Sequence, residues 1–161
     1  MSHFEELPDT HPEGFVKRFE RSRTAELAVA LHMLLHGNTV RMPKRRVREH
    51  YKDRKQFIDD GDLYVGNHRC EVKQNRINFA MNEFPYPSVA ICRTDAFDNA
   101  DPVPSYYFIV NESCTVAMAI DVAQTRDKWF IKHITDKARN HTYPCYAVSL
   151  SNVEWFQLET E

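Results

Sequence analysis

Glycine is scarce in this sequence, with four residues among 161, and no stretch resembles the glycine-rich loops that hold nucleotide phosphates. Hydrolysis of nucleoside triphosphates through such a loop is therefore excluded. No apolar run reaches the length of a membrane helix, and the first residues lack the basic and apolar regions of a signal peptide. These absences predict a cytoplasmic protein with no membrane partner.

Closely spaced cysteines are also absent. The four cysteines are far apart and form no Cys-x-x-Cys pair: Cys70, Cys92, Cys114 and Cys145. Three of them lie in apolar segments whose pattern predicts β-strands. Reduced, buried thiols are predicted, rather than disulfides or a zinc site.

The chain has no overall excess of positive charge, since its formal net charge is −2, which argues against a generally basic nucleic-acid coat protein. Positive residues are nevertheless concentrated between positions 41 and 55, where eight Lys or Arg stand against two acids. Such a patch can steer a polyanion to one face of a protein, although a solvated helix or loop surface is an equally good interpretation. The candidate nucleic-acid contacts in this patch are Lys44, Arg45, Arg46 and Arg48.

The segment from Asp62 to Lys73 predicts a tight β-hairpin that turns at Gly66 and Asn67. A two-residue turn sets Leu63 opposite Cys70 and Asp62 opposite Glu71. Because successive strand residues point to opposite faces, the hairpin has one apolar and one polar face. The apolar face carries Leu63, Val65, Cys70 and Val72, and the polar face carries Asp62, Tyr64, Arg69, Glu71 and Lys73.

The facing carboxylates of Asp62 and Glu71 indicate a cation site. Two like charges directly across a strand pair repel each other unless something positive lies between them. Oxygen ligands suit Mg²⁺, and Lys73 adds a second positive group on the same face. This arrangement could hold a metal ion that is bound to a phosphate.

The remaining pattern predicts one α/β domain over residues 1–161, with residues 1–10 as a flexible arm. A helix is expected from about 11 to Gly37, broken near Ser22. Its core stripe is predicted to contain Phe15, Phe19, Leu27, Leu31, Leu34 and Leu35. Strands are expected at 39–42, 88–93, 106–110, 115–120 and 146–150. Further helices are expected at 44–57, 121–132 and from about 150 to 156, with a loop at 134–141.

A helix ending in glycine, a short strand, an Asp, a hairpin and a Glu-x-Lys resembles the PD-(D/E)xK nuclease superfamily. The segment 25–31, leading to Gly37 and Val40, is most similar to archaeal Holliday-junction resolvases and related endonucleases. The resemblance covers residues 20 to 75 in detail, and Gly61 stands where the family name has proline. It implies a restriction-endonuclease-like αβββαβ core, a mixed sheet of about four strands with helices on both faces.

The resemblance also implies an activity: cleavage of phosphodiester bonds, expected in DNA, with Mg²⁺ or Mn²⁺ as the cofactor. A homodimer that places two active sites across a duplex is implied as well, in a bacterial, archaeal or phage-infected cell. The alternatives are a nucleic-acid-binding or inhibitory protein that keeps the fold without cutting, and a plain interaction domain.

The resemblance assigns roles residue by residue. Asp62, Glu71 and the carbonyl of Val72 would bind the metal, while Lys73 would orient the attacking water or offset negative charge. Asp60 is the runner-up to Asp62, because the hairpin register places it opposite Lys73; pairing of Asp60 with that lysine is the alternative.

Roles are also assigned to two residues other than the acids and the lysine of the hairpin. Glu26 corresponds to the helix-borne acid that many members carry, and it would support the metal ion; a place at the solvent edge of the helix stripe is the alternative. Arg69 would contact the phosphate backbone, with cross-strand pairing as the alternative.

Overall fold

In the computed structural model, the backbone is described for residues 12–43, 61–137 and 139–158, and side chains from residue 20 onwards. The predicted helix at 44–57 lies outside these ranges, and so do the N-terminal arm and Asp60. The candidate nucleic-acid contacts in the basic patch lie outside them as well: Lys44, Arg45, Arg46 and Arg48.

The first element is a helix, α1, which runs over Pro12–Leu35 without the expected break at Ser22. Its end is a Schellman motif, in which the amide of Gly37 donates to the carbonyl of Leu34 and the amide of Asn38 to that of Met33. Gly37 occupies the left-handed position of this motif with φ of 82°. The predicted glycine cap is therefore confirmed.

The predicted core stripe of α1 is wrong in its second half. The four leucines assigned to it are 40–54% exposed: Leu27, Leu31, Leu34 and Leu35. The buried face instead carries Ala25, Val29 and Ala30. These small side chains allow the helix backbone to lie close to the sheet. The larger leucines lie on the other sides of the helix.

The sheet beneath α1 contains six strands in the described part of the chain, in the order β1-β2-β3-β5-β6-β9. Their bounds are β1 Val40–Arg41, β2 Leu63–Val65, β3 His68–Gln74, β5 Tyr106–Val110, β6 Val116–Asp121 and β9 Glu154–Gln157. The pair β3–β5 is parallel, whereas every other neighbouring pair is antiparallel. The predicted mixed α/β architecture is confirmed.

A second, three-stranded antiparallel sheet has the order β4-β8-β7, and it was not predicted. Its strands are β4 Ser88–Arg93, β7 Phe130–Asp136 and β8 His141–Ser149. Two short helices precede strands of either sheet: α2 at Thr94–Asp98 and α3 at Val122–Thr125.

The helix predicted at 121–132 and the loop predicted at 134–141 are both wrong. Only α3 and a 3₁₀ turn at Arg126–Lys128 are helical there, and the chain then enters the β7–β8 hairpin. The expected C-terminal helix is likewise a 3₁₀ turn at Leu150–Asn152 followed by β9.

The six-stranded sheet separates two hydrophobic cores. On one face, Leu63, Cys70 and Val72 pack with the buried side of α1. On the other face, Tyr107 and Ile109 pack with residues of the three-stranded sheet. Helices were expected on both faces, but in the described ranges strands β4, β7 and β8 take the place of a second helical layer. None of the described helices is long and apolar enough to cross a membrane.

Candidate active site

The hairpin has the register that its turn predicts. Strands β2 and β3 pair Leu63 with Cys70 and Val65 with His68. Gly66 has φ of 58°, whereas Asn67 is not among the residues with positive φ. This φ pattern is that of a type II′ turn, in which glycine takes the first central position.

Asp62 lies one residue before β2 and is bonded to the neighbouring strand. Its Oδ2 accepts a hydrogen bond from the backbone amide of Val72 at 2.8 Å. The half-buried carboxylate is therefore tied to the segment that carries Glu71 and Lys73. The hairpin places Asp62 next to the strand that carries the other two candidates, Glu71 and Lys73.

Glu71 is buried, with 9% of its surface exposed, and it is held by Arg69. The guanidinium of Arg69 approaches one carboxylate oxygen, Oε1, with Nε at 2.9 Å and Nη2 at 2.8 Å. The same side chain donates from Nη1 to the carbonyl of Pro102 at 3.2 Å. Charge-assisted bonds of this kind are short and directional, so they fix the carboxylate of Glu71 against the loop that precedes β5.

This geometry differs from the expectation for Arg69. Only 5% of Arg69 is exposed, and it donates hydrogen bonds to Glu71 and to the carbonyl of Pro102. The partner Glu71 lies on the same strand at i and i+2, whereas the alternative expected from the sequence is a partner across the hairpin. Arg69 is placed to position Glu71.

Gly61 completes the packing around this pair. It has φ of 90°, and an added Cβ there would lie 2.9 Å from Nε of Arg69. Only a residue without a side chain allows this close approach in this backbone conformation. A glycine at the place where the family name has proline therefore has a local structural reason.

Lys73 is exposed and lies two residues beyond Glu71 on the same strand face. Burial raises the pKa of the thiols of Cys92 and Cys145, and the positive charge of Lys73 acts in the opposite direction on both. Both thiols belong to the three-stranded sheet, Cys92 to β4 and Cys145 to β8.

Tyr107 is a member of the site that the sequence analysis missed. It pairs with Glu71 in the parallel ladder of β3 and β5 and is 2% exposed. Burial and a hydrogen bond with the thiol of Cys92 raise the pKa of the Tyr107 hydroxyl, which keeps it protonated. Only the parallel register reveals this neighbour, and no local pattern predicts it.

Glu26 lies in a different layer. It is fully buried on α1, where its Oε1 accepts from the hydroxyl of Ser22 at 3.2 Å and its Oε2 lies 3.6 Å from Nη1 of Arg23. The helix packs on the sheet face of Cys70 and Val72, whereas Glu71 points to the opposite face. A place at the solvent edge is excluded by this burial.

The sequence predicts that the side chains assigned as metal ligands lie close enough to hold one ion. Within residues 20–43, 61–137 and 139–158, no three His, Cys, Asp or Glu side chains are grouped so that they could hold a metal ion. The hairpin nevertheless offers two carboxylates and a backbone carbonyl, at Asp62, Glu71 and Val72. This donor set consists of oxygens alone and has the chemistry that Mg²⁺ and Mn²⁺ prefer.

The cysteines are reduced in the structure. All four are free, and Cys70, Cys92 and Cys145 are buried, as predicted. Burial raises the pKa of Cys70 from 9.0 to about 12, so this thiol stays protonated and unreactive at neutral pH.

Comparison with known proteins gives no relative. No protein-family model, no curated protein and no solved structure matches this chain.

Proposed function

We propose that this protein is a metal-dependent nuclease, a DNA endonuclease that hydrolyses phosphodiester bonds at the β2–β3 hairpin. The observation that carries the proposal is the pairing of Leu63 with Cys70. Continued by one residue, this register would set Asp62 beside Glu71, and the hydrogen bond from the Val72 amide ties the carboxylate of Asp62 to the strand that carries Glu71.

The order of elements supports the same proposal. Four strands lie side by side, β1-β2-β3-β5, with α1 before them and α2 between β3 and β5. In the proposed restriction-endonuclease-like αβββαβ core these would be the core elements, and β4 would be an additional strand. The parallel pairing of β3 with β5 makes this four-stranded unit mixed, which supports the proposal.

The metal ion of the proposed reaction would be held by the carboxylates of Asp62 and Glu71 and by the carbonyl of Val72. When bound, Mg²⁺ or Mn²⁺ would lower the pKa of a water molecule and offset negative charge on the scissile phosphate. Asp62 is pre-positioned by the Val72 amide, and Glu71 by the guanidinium of Arg69. Preorganised ligands of this kind need little reordering when the ion binds.

Lys73 would act on the substrate directly. Its exposed ammonium lies on the same strand face as Glu71, where it would orient the attacking water or offset the negative charge that develops on the phosphate. Arg69 would be a positioning residue, since it is buried and donates to the carboxylate of Glu71 and to the carbonyl of Pro102. The basic residues Lys44, Arg45, Arg46 and Arg48 are proposed to dock the DNA backbone.

The test uses the purified full-length protein with branched, duplex and single-stranded DNA and RNA. Each substrate is incubated with Mg²⁺, Mn²⁺ or EDTA, and strand cleavage is measured on denaturing gels. We expect cutting of DNA that requires the metal and is lost in Asp62→Asn and in Lys73→Ala.

Two exposed residues on other elements provide matched controls. Asp127→Asn and Lys128→Ala make the same chemical changes in the 3₁₀ turn after α3 and should keep wild-type activity. Cutting that survives both hairpin substitutions would refute the assignment of the site. Loss of activity in the control variants to the same extent would show a general charge effect instead.

A second candidate is a nucleic-acid-binding or inhibitory protein that has this fold but does not cut. One observation favours it: the carboxylate of Glu71 is already neutralised by Arg69 in a buried pair, which competes with a metal ion for the same oxygen. In that case the wild-type protein binds DNA in a gel-shift assay in EDTA and in Mg²⁺ alike, and no metal produces cleavage.

A further inference from the structure

A cavity of about 350 Å³ lies on the helix-covered side of the six-stranded sheet, between the C-terminal half of α1 and strands β2, β3, β5, β6 and β9. Along β3, His68 and Cys70 line this cavity, whereas Arg69 and Glu71 alternate with them and point to the other face. The cavity is therefore separate from the proposed active site. Its volume is within the range of natural small-molecule sites.

Five aromatic rings form a continuous series around the cavity, and each ring in the series contacts the next. The ring centroids of His32 and Phe156 are 4.8 Å apart, and those of Phe156 and Phe108 are 5.9 Å apart. The series continues from Phe108 to Tyr106 and from Tyr106 to His68, each at 6.2 Å. All five rings belong to the cavity lining.

The fixed charge at this cavity is negative. Glu154 is part of the lining, and among the lining residues that the structure describes there is no Lys or Arg. The pKa of the Tyr106 hydroxyl is raised by burial and then by the charges of Asp121 and Glu154. Asp121 is the cross-strand partner of Tyr106 and Glu154 lines the cavity, and these two carboxylates disfavour a phosphorylated or otherwise anionic ligand.

We propose that this cavity binds a small organic cation, an amine or quaternary ammonium group on a compact apolar body. Ring faces attract cations through their quadrupoles, and the attraction is strongest where water is excluded. Glu154 supplies the neutralising charge, and Phe108 and Phe156 supply apolar contact for the rest of the ligand. The proposal does not depend on nuclease activity, because the site lies on the opposite face of the sheet.

The test compares a cation with a neutral molecule of the same shape. Choline and tetramethylammonium are titrated into the full-length protein, and binding is followed by ligand-observed NMR and calorimetry. The probe 3,3-dimethylbutan-1-ol replaces the nitrogen of choline with carbon and carries no charge. We expect both cations to bind and the neutral isostere to bind about 10-fold more weakly.

Two variants locate the binding. Glu154→Gln removes the charge at an exposed strand position, and Phe156→Leu removes one ring; each should weaken choline binding about 3- to 10-fold. Glu83→Gln and Tyr86→Leu make matched changes at exposed residues outside the cavity and should leave choline affinity unchanged. Phe156 also packs on Phe108, so Phe156→Leu could lower the thermal stability. In that case the result with Glu154→Gln decides whether choline binds in the cavity.

Three outcomes would overturn the proposal. Equal binding of choline and its neutral isostere would show that charge is not recognised. Binding of adenosine at lower concentrations than either cation would assign the cavity to a neutral base. No binding of either cation at millimolar concentration would show that the ring series is only structural.

Discussion

Arg69 and Glu71 form a buried ion pair within a single strand, with two nitrogens of the guanidinium directed at one carboxylate oxygen. Their side chains share a face of β3, because they are two residues apart. The carbonyl of Pro102 accepts from a third nitrogen of Arg69, so the pair also joins β3 to the loop before β5. The acid that we propose as a metal ligand is thus fixed by its own strand.

The first prediction concerns the cost of separating this pair. Arg69→Met keeps much of the side-chain volume but removes the guanidinium that neutralises the buried carboxylate of Glu71, which should lower the free energy of unfolding by about 3–5 kcal/mol. Arg93→Met breaks the exposed pair of Arg93 with Asp95 and should cost less than about 1 kcal/mol. Urea unfolding followed by circular dichroism measures both.

A double variant distinguishes the contribution of the interaction between Arg69 and Glu71 from the contribution of each residue alone. Arg69→Met combined with Glu71→Leu should recover most of the lost stability, because neither charge of the pair then remains. If Arg69→Met and Arg93→Met lower the free energy of unfolding equally, the Arg69–Glu71 pair does not stabilise the fold as a buried ion pair should.

The second prediction concerns the close contact between Gly61 and Arg69. Gly61→Ala forces a Cβ to within 2.9 Å of Nε of Arg69 at a positive φ, and we expect a loss of about 2–3 kcal/mol in unfolding free energy. Gly37→Ala has a similar φ but no atom within 4 Å of the added Cβ, so it should cost only about 1 kcal/mol. Thermal and urea unfolding of the two variants give the comparison.

The same substitution has a functional consequence. A displaced Arg69 would no longer hold Glu71, so Gly61→Ala should reduce metal-dependent cutting, whereas Gly37→Ala should not. Equal stability and equal activity in the two variants would show that the contact with Arg69 has no importance.

The third prediction is a loss of stability in alkali that depends on Cys70. The folded protein raises the pKa of this thiol from 9.0 to about 12 through burial, while the unfolded chain titrates at the ordinary value. Since the unfolded chain loses its proton first, the stabilisation from Cys70 is complete below pH 9 and is lost between about 9 and 12. The expected slope is about 1.4 kcal/mol per pH unit.

Comparison with Cys70→Ala isolates this residue, because Tyr107 and Cys92 also titrate in alkali. The difference in unfolding free energy between wild type and variant should be constant near neutral pH and should shrink as the pH rises above about 9. A difference that does not change with pH would show that the thiol ionises equally in both states.

The sequence was sufficient where local chemistry decides the structure. Gly66 and Asn67 determine the turn, and the turn determines the register that sets Asp62 beside Glu71. Gly37 likewise marks the end of α1, because its positive φ closes the Schellman motif.

The sequence was insufficient where distant strands decide the structure. The segment 130–136 was predicted as part of a helix and a loop, but it pairs with β8 along seven residues, and such ladders override local preference. The leucines of α1 fit a helical stripe, yet the sheet packs against Ala25 and Val29, because the shape of the facing sheet decides which stripe is buried. The place of Tyr107 beside Glu71 depends on the parallel register of β3 with β5, and the bond from Arg69 to Pro102 depends on the loop before β5; no local motif encodes either contact.

The last prediction separates Glu26 from the metal ligands. The carboxylate of Glu26 is fully buried in the helix layer with Ser22 and Arg23, and the helix packs on the face opposite Glu71. Glu26→Gln should therefore lower the free energy of unfolding by about 1–3 kcal/mol without changing the Mg²⁺ concentration at half-maximal cutting. Asp62→Asn should instead abolish cutting and leave the free energy of unfolding nearly unchanged, since the Asn side-chain carbonyl can still accept from the Val72 amide while the charge that attracts the metal is lost.

Mn²⁺ binding measured by electron paramagnetic resonance gives the same comparison without catalysis. Glu20→Gln, at an exposed position of the same helix, is the control and should change neither quantity. If Glu26→Gln instead weakens Mn²⁺ binding as much as Asp62→Asn and leaves unfolding unchanged, Glu26 is a ligand. The helix-borne acid of the nuclease motif would then be functional here, and α1 would have to bring its carboxylate past the edge of the sheet to reach the ion.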